Sequence, residues 1–366
     1  SNSEWKKGNT LHSWTTKGNG TKRIILATMD TAYSDEFVHK ISSGDHLFVV
    51  VDELHRLGSP KRRRALRIQA GPRLGLSATP YRYGDPEGTQ ALFDYFGGLI
   101  PPPFTLRDAI NSGVLTRYFY HPEKIYLTNS EQEDWNSITK EIQILVARIS
   151  TGESNTIDIN GNPKLKQLLI KRARIVKNAA GKVPLAIRII KEKYRPGDKW
   201  IIYCDNITQL QAVLNNALDA GFDAYEYYAE MKGDRDTTLA YFAANGGVLV
   251  SIKCLDEGVD IPATTHALIL ASSQNPREFI QRRGRILRRS PGKHFAHLYD
   301  AVAIPIVEDS EDDKSLSIIT AELSRAIQFG EGAENPACVT DLKNIAIDFN
   351  IDFNALNNGG FEDDDE

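Results

Sequence analysis

Two stretches of the chain alternate short apolar runs with longer amphipathic segments, the pattern of parallel α/β layers. In the first, about residues 21–120, the apolar runs are 23–27, 47–51 and 74–76. In the second, about residues 199–306, they are 200–204, 224–228, 248–252, 267–271 and 296–299. Residues 207–220 and 234–244 carry helical spacing, and Gly246-Gly247 stops the latter just ahead of a strand. A polar, mostly helical stretch at 130–194 joins the halves, broken by a turn-rich loop at 150–163. Patterning alone predicts a two-domain α/β protein, and a chain of 366 residues suits two domains with a tail.

Composition narrows the class. With 41% hydrophobic and 25% charged residues, the chain has an ordinary globular make-up, and its longest apolar runs are strand-sized, far short of a membrane span. The first residues hold no apolar signal-peptide core. Cys204, Cys254 and Cys338 are odd in number and far apart, which argues against a disulfide framework or a zinc site and for a reducing cytoplasm. The net charge of -4 owes five negatives to Glu362-Asp363-Asp364-Asp365-Glu366, a run expected to be a solvated tail. The remaining body is near neutral, so charge alone does not announce a nucleic-acid partner.

Four segments carry candidate chemistry. The apolar run 47–51 reads as a strand buried on both faces, ending in Asp52-Glu53-Leu54-His55. Ligands of open parallel sheets bind at the carboxyl ends of strands, where an Asp can hold Mg²⁺ through water while a neighbouring Glu polarises an attacking water. His55 would stand nearby, placed to sense a γ-phosphate. Some twenty residues on, Leu74-Gly75-Leu76 runs into Ser77-Ala78-Thr79-Pro80, whose small hydroxyls can pack against the acidic box and relay a hydrogen bond to it. In 275–289, Gln281, Arg285 and Arg288 fall on one helical face, and a cluster of guanidiniums calls for an anionic partner such as a triphosphate. Gly284 interrupts that helix at a cost of about 1 kcal/mol, which suggests close approach of a backbone or ligand. In 250–262 a strand exits into an acidic loop with Gly258 and Asp260, where Asp260 could accept from a ribose hydroxyl or orient an arginine, and Ser251 could meet a backbone phosphate. Each segment by itself also fits a plain polar turn or a basic surface helix. Their order and separation are much less common.

Taken together the segments resemble the superfamily 2 helicases. Asp52-Glu53-Leu54-His55 is similar to motif II, Ser77-Ala78-Thr79 to motif III, residues 251–262 to motif V, and Gln281 to Arg288 to the motif VI pattern Q-x-x-G-R-x-x-R. Residues 201–204 stand where motif IV is expected, and residues 27–32 look like motif Ib. The wording of motifs V and VI most resembles the XPB and RadD-like branch, with type I and III restriction-enzyme motor subunits as neighbours. This resemblance implies two RecA-like parallel-sheet domains of the P-loop NTPase helicase core, with ATP and Mg²⁺ as cofactors and a nucleic-acid strand, DNA rather than RNA, as partner. Carried over, Asp52 coordinates Mg²⁺ and Glu53 activates water, while Arg285 and Arg288 act as arginine fingers. Gln281 and His55 link the two sides, and Ser77, Ala78 and Thr79 couple hydrolysis to movement. Gly258 and Asp260 touch the nucleotide, and Thr28, Thr31 and Ser251 touch phosphates of the tracked strand. The expected division is a partial first domain over 1–120, a mostly helical connector over 121–195, a second domain over 196–330 and an extension with an acidic tail over 331–366.

One part of the pattern is absent from the sequence. No Gly-x-x-x-x-Gly-Lys-Ser/Thr loop occurs; Ala180-Gly181-Lys182 and Pro291-Gly292-Lys293 lack its hydroxyl and first glycine, and both follow motif II. About 50 residues precede Asp52, which leads to the expectation that the first domain lacks its opening strands with motifs I and Ia. The chain alone should then bind ATP poorly and hydrolyse little of it. Competing readings are an RNA helicase and a non-catalytic nucleic-acid-binding remnant of the same fold. Lys61-Arg62-Arg63-Arg64 reads as a solvated face, the tyrosines at 225, 227 and 228 as partly core, and Trp135 and Trp200 as packing residues.

Overall fold

A computed structural model describes residues 3–18, 20, 22–77, 80–82, 85–149, 162–252, 264–271, 284–306, 317–348 and 351. The chain forms two compact units, Ser1–Pro103 and Phe104–Gly359.

The first unit contains helices α1 (Thr10–Thr15), α2 (Met29–Ala32) and α3 (Asp35–Lys40), strands β1 (Val49–Val51) and β2 (Arg73–Gly75), and helix α4 (Pro86–Phe96). Two 3₁₀ turns, Leu54–Gly58 and Arg62–Arg67, lie between the strands. β1 and β2 pair in parallel as a two-stranded sheet. Two small apolar clusters hold the unit: Leu54, Leu57, Ala65 and Leu92 in one, Leu11, Phe37 and Ile68 in the other.

Two expectations are corrected here. Residues 23–27 form no strand and pair with no described strand; Ile24 is 84% and Leu26 93% exposed. β1 is covered on one face only, since Phe48 and Val50 are exposed. The physical reason is that β1 has a single neighbouring strand and one layer packed on it among the described residues.

The second unit holds the larger structure. After α5 (Leu106–Asn111), β3 (Arg117–Tyr126) leads to α6 (Asn129–Ile149), α7 (Pro163–Lys177) and α8 (Lys182–Lys193). Then come β4 (Lys199–Cys204), α9 (Ile207–Asp219), β5 (Ala224–Tyr227), α10 (Arg235–Asn245), β6 (Gly247–Ile252), β7 (His266–Ile269) and β8 (Phe295–Ile304). Helices α11 (Ser317–Glu331) and α12 (Thr340–Asp348) follow. The six strands form one parallel sheet in the order β3-β8-β7-β4-β6-β5. The central strands β4 and β6 are buried almost throughout, as their unbroken apolar sequences require. α9 starts at Asn206, whose side chain accepts from the Gln209 amide, and faces the sheet with Leu210, Val213 and Ala217. α10 ends at Gly246, and both Gly246 and Gly247 have positive φ; a Cβ at Gly247 would stand 2.6 Å from the Asp223 carbonyl. Trp135 and Trp200 are core residues, and so is Tyr227.

The expected domain limits move. β3 pairs along its whole length with β8, so residues 117–126 belong to the second unit's sheet rather than to the first domain or a connector. The C-terminal helices are likewise part of this core, with Leu323, Ala326, Val339, Leu342 and Ala346 in its main cluster. A buried polar tie fastens them: Asp300 on β8 accepts from the Tyr120 hydroxyl at 2.8 Å and pairs with Arg325 of α11, which also donates to Glu322 at 2.8 Å. Among the described residues, α6 and α7 also pack a separate apolar cluster through Ile138, Ile142, Leu165 and Leu168.

Candidate functional site

At the carboxyl end of β1 the chain turns sharply. Glu53 has φ 49° and ψ 48°, the one non-glycine residue with positive φ among the described residues. Such a conformation costs about 1–2 kcal/mol for an L-residue and gathers at functional turns. Asp52 Oδ1 accepts the Glu53 amide at 2.9 Å, and the Leu54 amide donates to the Leu76 carbonyl at 2.9 Å. Asp52 is thereby left exposed, Glu53 half-buried and His55 buried. His55 Nδ1 lies 3.1 Å from Ser77 Oγ and 3.4 Å from Glu53 Oε2. The acidic box and the serine after β2 therefore meet through the imidazole. Gly75 makes this approach feasible, because a Cβ there would stand 2.3 Å from Leu54 Cδ2.

Sequence reasoning missed a second layer behind this turn. Arg82 donates through Nη1 to the His55 carbonyl and through Nε to Asp85 Oδ2 at 2.9 Å. Asp85 also accepts the Gly88 amide at 2.7 Å and pairs with Arg63 at 3.3 Å. Burial opposes ionisation of Asp85, but the Gly88 amide and the two arginines outweigh it and hold the carboxyl below its ordinary range. Gly58 and Gly88 make room: a Cβ on the first would strike Arg82 Cδ at 2.2 Å, and one on the second would strike Asp85 Oδ2 at 2.1 Å. A signal was present, since Asp85-Pro86 is a helix-start dipeptide whose cap carboxylate also offers an arginine partner. Part of the basic run is structural: Arg63 pairs with Asp85 and Glu87, and Arg64 with Asp35.

Thr28 caps α2, its hydroxyl accepting the Thr31 amide and lying 3.1 Å from Thr31 Oγ1. The two hydroxyls thus sit together at a surface turn, the Thr28 side exposed. Ser251 is placed differently from the expectation. It is fully buried in β6 between Tyr203 and Tyr227, so it offers a phosphate no surface. Ala78, Thr79, Gly258, Asp260 and Gln281 lie outside the described residues.

In the second unit residues 284–286 are helical, with Ile286 and Leu287 in the core and Arg285 and Arg288 half-buried. No described atom lies within 4 Å of where a Cβ on Gly284 would stand. Among the described residues no group of three or more His, Cys, Asp or Glu side chains could hold a metal ion, and no helix is long and apolar enough to cross a membrane.

A model of the type III restriction enzyme res subunit matches residues 2–82, and a model of the helicase conserved C-terminal domain matches residues 181–290. The DNA 3'-5' translocase XPB2 of Sulfurisphaera tokodaii is 26% identical over 314 residues, covering 81% of this chain and 66% of the relative. A second curated relative, from Haloarcula marismortui, is 25% identical over 283 residues, and the chain spans 37% of its length. The chain thus covers less than two thirds of either relative. Among solved structures, the Pyrococcus furiosus Hef helicase domain has a TM-score of 0.46 at 16% identity, covering 76% of this chain and 75% of that one. The res-subunit model over the first unit and the helicase C-terminal model over the second, in the order of the motifs, together support a superfamily 2 helicase.

Proposed function

We propose that this chain is part of an ATP-driven motor that translocates on DNA or unwinds it. The observation that carries the reading is the turn at Glu53: a strained left-handed carboxylate at a strand's carboxyl end, tied through His55 to Ser77. A mere structural turn would have no need of that strain on a non-glycine residue.

In this reading, ATP supplies the phosphoryl group and Mg²⁺ the charge that neutralises it. The exposed carboxylate of Asp52 suits a hydrated divalent cation and would hold it through water. Glu53 would take the proton of the attacking water, and His55 would report the event to Ser77, with Ala78 and Thr79 in the same coupling segment. Arg285 and Arg288 would stabilise charge on the transferred group, an effect worth about 10³–10⁵ in rate. Gln281 would act with His55 as the linking pair, Gly258 and Asp260 would contact the nucleotide, and Thr28 and Thr31 would touch a strand phosphate. DNA is favoured over RNA because the relative aligned over most of this chain is described as a DNA translocase. A cytoplasmic setting accords with Cys204 and Cys338 being free thiols.

The sequence holds no glycine-rich phosphate loop, so the 366-residue chain by itself should bind Mg-ATP weakly and turn over little of it. Calorimetry tests this: binding at about micromolar Kd, equivalent to roughly 8 kcal/mol, together with turnover would refute it. In a polypeptide that includes such a loop, DNA should stimulate hydrolysis more than RNA does; the reverse order would favour an RNA motor.

A further inference from the structure

Pro291-Gly292-Lys293 looks in sequence like a fragment of a phosphate-gripping loop, yet its lysine is turned to another use. Ser290 to Lys293 make a tight turn: the Lys293 amide donates to the Ser290 carbonyl at 3.0 Å, with Pro291 and Gly292 (φ 79°) at the centre. Proline followed by a positive-φ glycine is the composition of a type II turn, which fixes the backbone of the residue after it. From that position Lys293 Nζ donates to the Arg288 carbonyl at 3.0 Å and to the Ile286 carbonyl. The carbonyl between them, of Leu287, accepts the Thr116 amide at 2.7 Å, and Leu115 bridges Arg288 in antiparallel fashion.

The last carbonyls of a helix lack partners within it, and a cation at that end also suits the helix dipole. Here the last helical carbonyl, at 286, and the two that follow it, at 287 and 288, each receive a donor from outside the helix. The surroundings are tight as well: Thr116, Ile286 and Leu287 are buried, and a Cβ on Gly113 would stand 3.3 Å from Arg289 Nη1.

We infer that Lys293 is a positioning residue for the motif VI arginines, its ammonium clamping the carbonyls on either side of Leu287 so that Arg285 and Arg288 project from a fixed backbone. This rests on the reading of those arginines as charge-stabilising groups. Burial pushes the lysine down to about 8, which accords with an amine held against the protein interior rather than in open solvent.

Two measurements decide it. In the 366-residue chain, Lys293→Met should speed amide exchange across residues 284–289 by about 10-fold relative to β4, and Lys293→Arg by less. Uniform exchange in both segments would overturn the clamp. In a polypeptide that hydrolyses ATP, Lys293→Met should lower kcat by at least about 10-fold with KM for ATP changed less than about threefold, and Lys293→Arg should restore part of the loss. Adding Lys293→Met to Arg288→Ala should then cost little more, since both act on one group. A large loss in Arg288→Ala with none in Lys293→Met would overturn the inference while leaving the arginine reading intact. No loss in either Arg285→Ala or Arg288→Ala would remove the arginine reading beneath it, and the exchange result would then stand as a structural clamp alone. If Lys293→Met melts the unit, Lys293→Arg decides: a kcat well above that of Arg288→Ala, with exchange at 284–289 no more than slightly faster, supports the need for a cation there, and a kcat equal to that of Arg288→Ala with normal exchange contradicts it.

Discussion

The two units differ in how much structure stands behind their candidate functional residues. In the second, a six-stranded parallel sheet and its helices share one continuous core, and the motif VI backbone is fastened by Thr116 and Lys293. In the first, the acidic box rides on a two-stranded sheet with two small clusters beneath it and Phe48, Val50 and Leu76 exposed. What keeps Glu53 in its strained turn is therefore local and polar: the His55–Ser77 contact, the Arg82–Asp85 pair, and the glycines that admit them. A strained turn can be held with little hydrophobic core when its backbone carbonyls and side chains are fixed by specific hydrogen bonds.

The contrast is sharpest in core substitutions. Leu268→Ala, at a fully buried position of β7, should destabilise the second unit by about 2–5 kcal/mol, whereas Val50→Ala in half-exposed β1 should change the first unit by less than about 0.5 kcal/mol. Urea denaturation following each unit separately checks this; comparable losses would mean that β1 is better covered than its exposure indicates.

Acid should also distinguish the units. His121 and His266 are both pushed down to about 4, chiefly by burial, with the Lys193 and His297 charges adding to it at His121 and Asp198 opposing it at His266. His121 Nε2 lies 3.2 Å from His297 Nδ1, and the ring of His266 stacks on those of Trp200 and His297. Above pH 6.5 the folded and unfolded forms both carry neutral imidazoles. Between 6.5 and about 4 the unfolded chain takes up protons that the folded unit refuses, so stability falls as pH falls. Melting temperatures of the second unit from pH 7 to 4.5 should show that slope, and His121→Asn with His266→Asn should flatten it.

A smaller effect tests the strain at Glu53. Glu53→Gly should stabilise the first unit by about 1 kcal/mol, because glycine adopts the left-handed region without a Cβ penalty. A loss of stability would show instead that the Glu53 side chain contributes more than its backbone costs.

Much of this was legible in the sequence, for reasons that particular residues make plain. The strands β4, β6 and β7 announce themselves because they are buried on both faces, and Gly246-Gly247 marks a boundary because only glycine tolerates both φ values there. Residues 23–27 misled because an apolar run records what a strand would bury, and nothing described pairs with it. β3 was hidden for the opposite reason: Arg117 to Tyr126 includes a proline, charges and a histidine, and only its pairing with β8 reveals its role. The acidic box, the serine at 77 and the arginines at 285 and 288 were picked out as candidates by spacing. Ser251 shows the limit of that method, since spacing does not report depth. Arg82, Asp85 and Lys293 escaped because their work is done on backbone carbonyls and on each other, which no motif spacing encodes.

The central claim is that Glu53 is the water-activating carboxylate, and Glu53→Gln in a polypeptide that carries the phosphate loop tests it most directly. Steady-state hydrolysis should fall by at least about 10²-fold, the scale of a lost general base, while Mg-ATP still binds. Hydrolysis at the wild-type rate in the Gln variant would contradict the account.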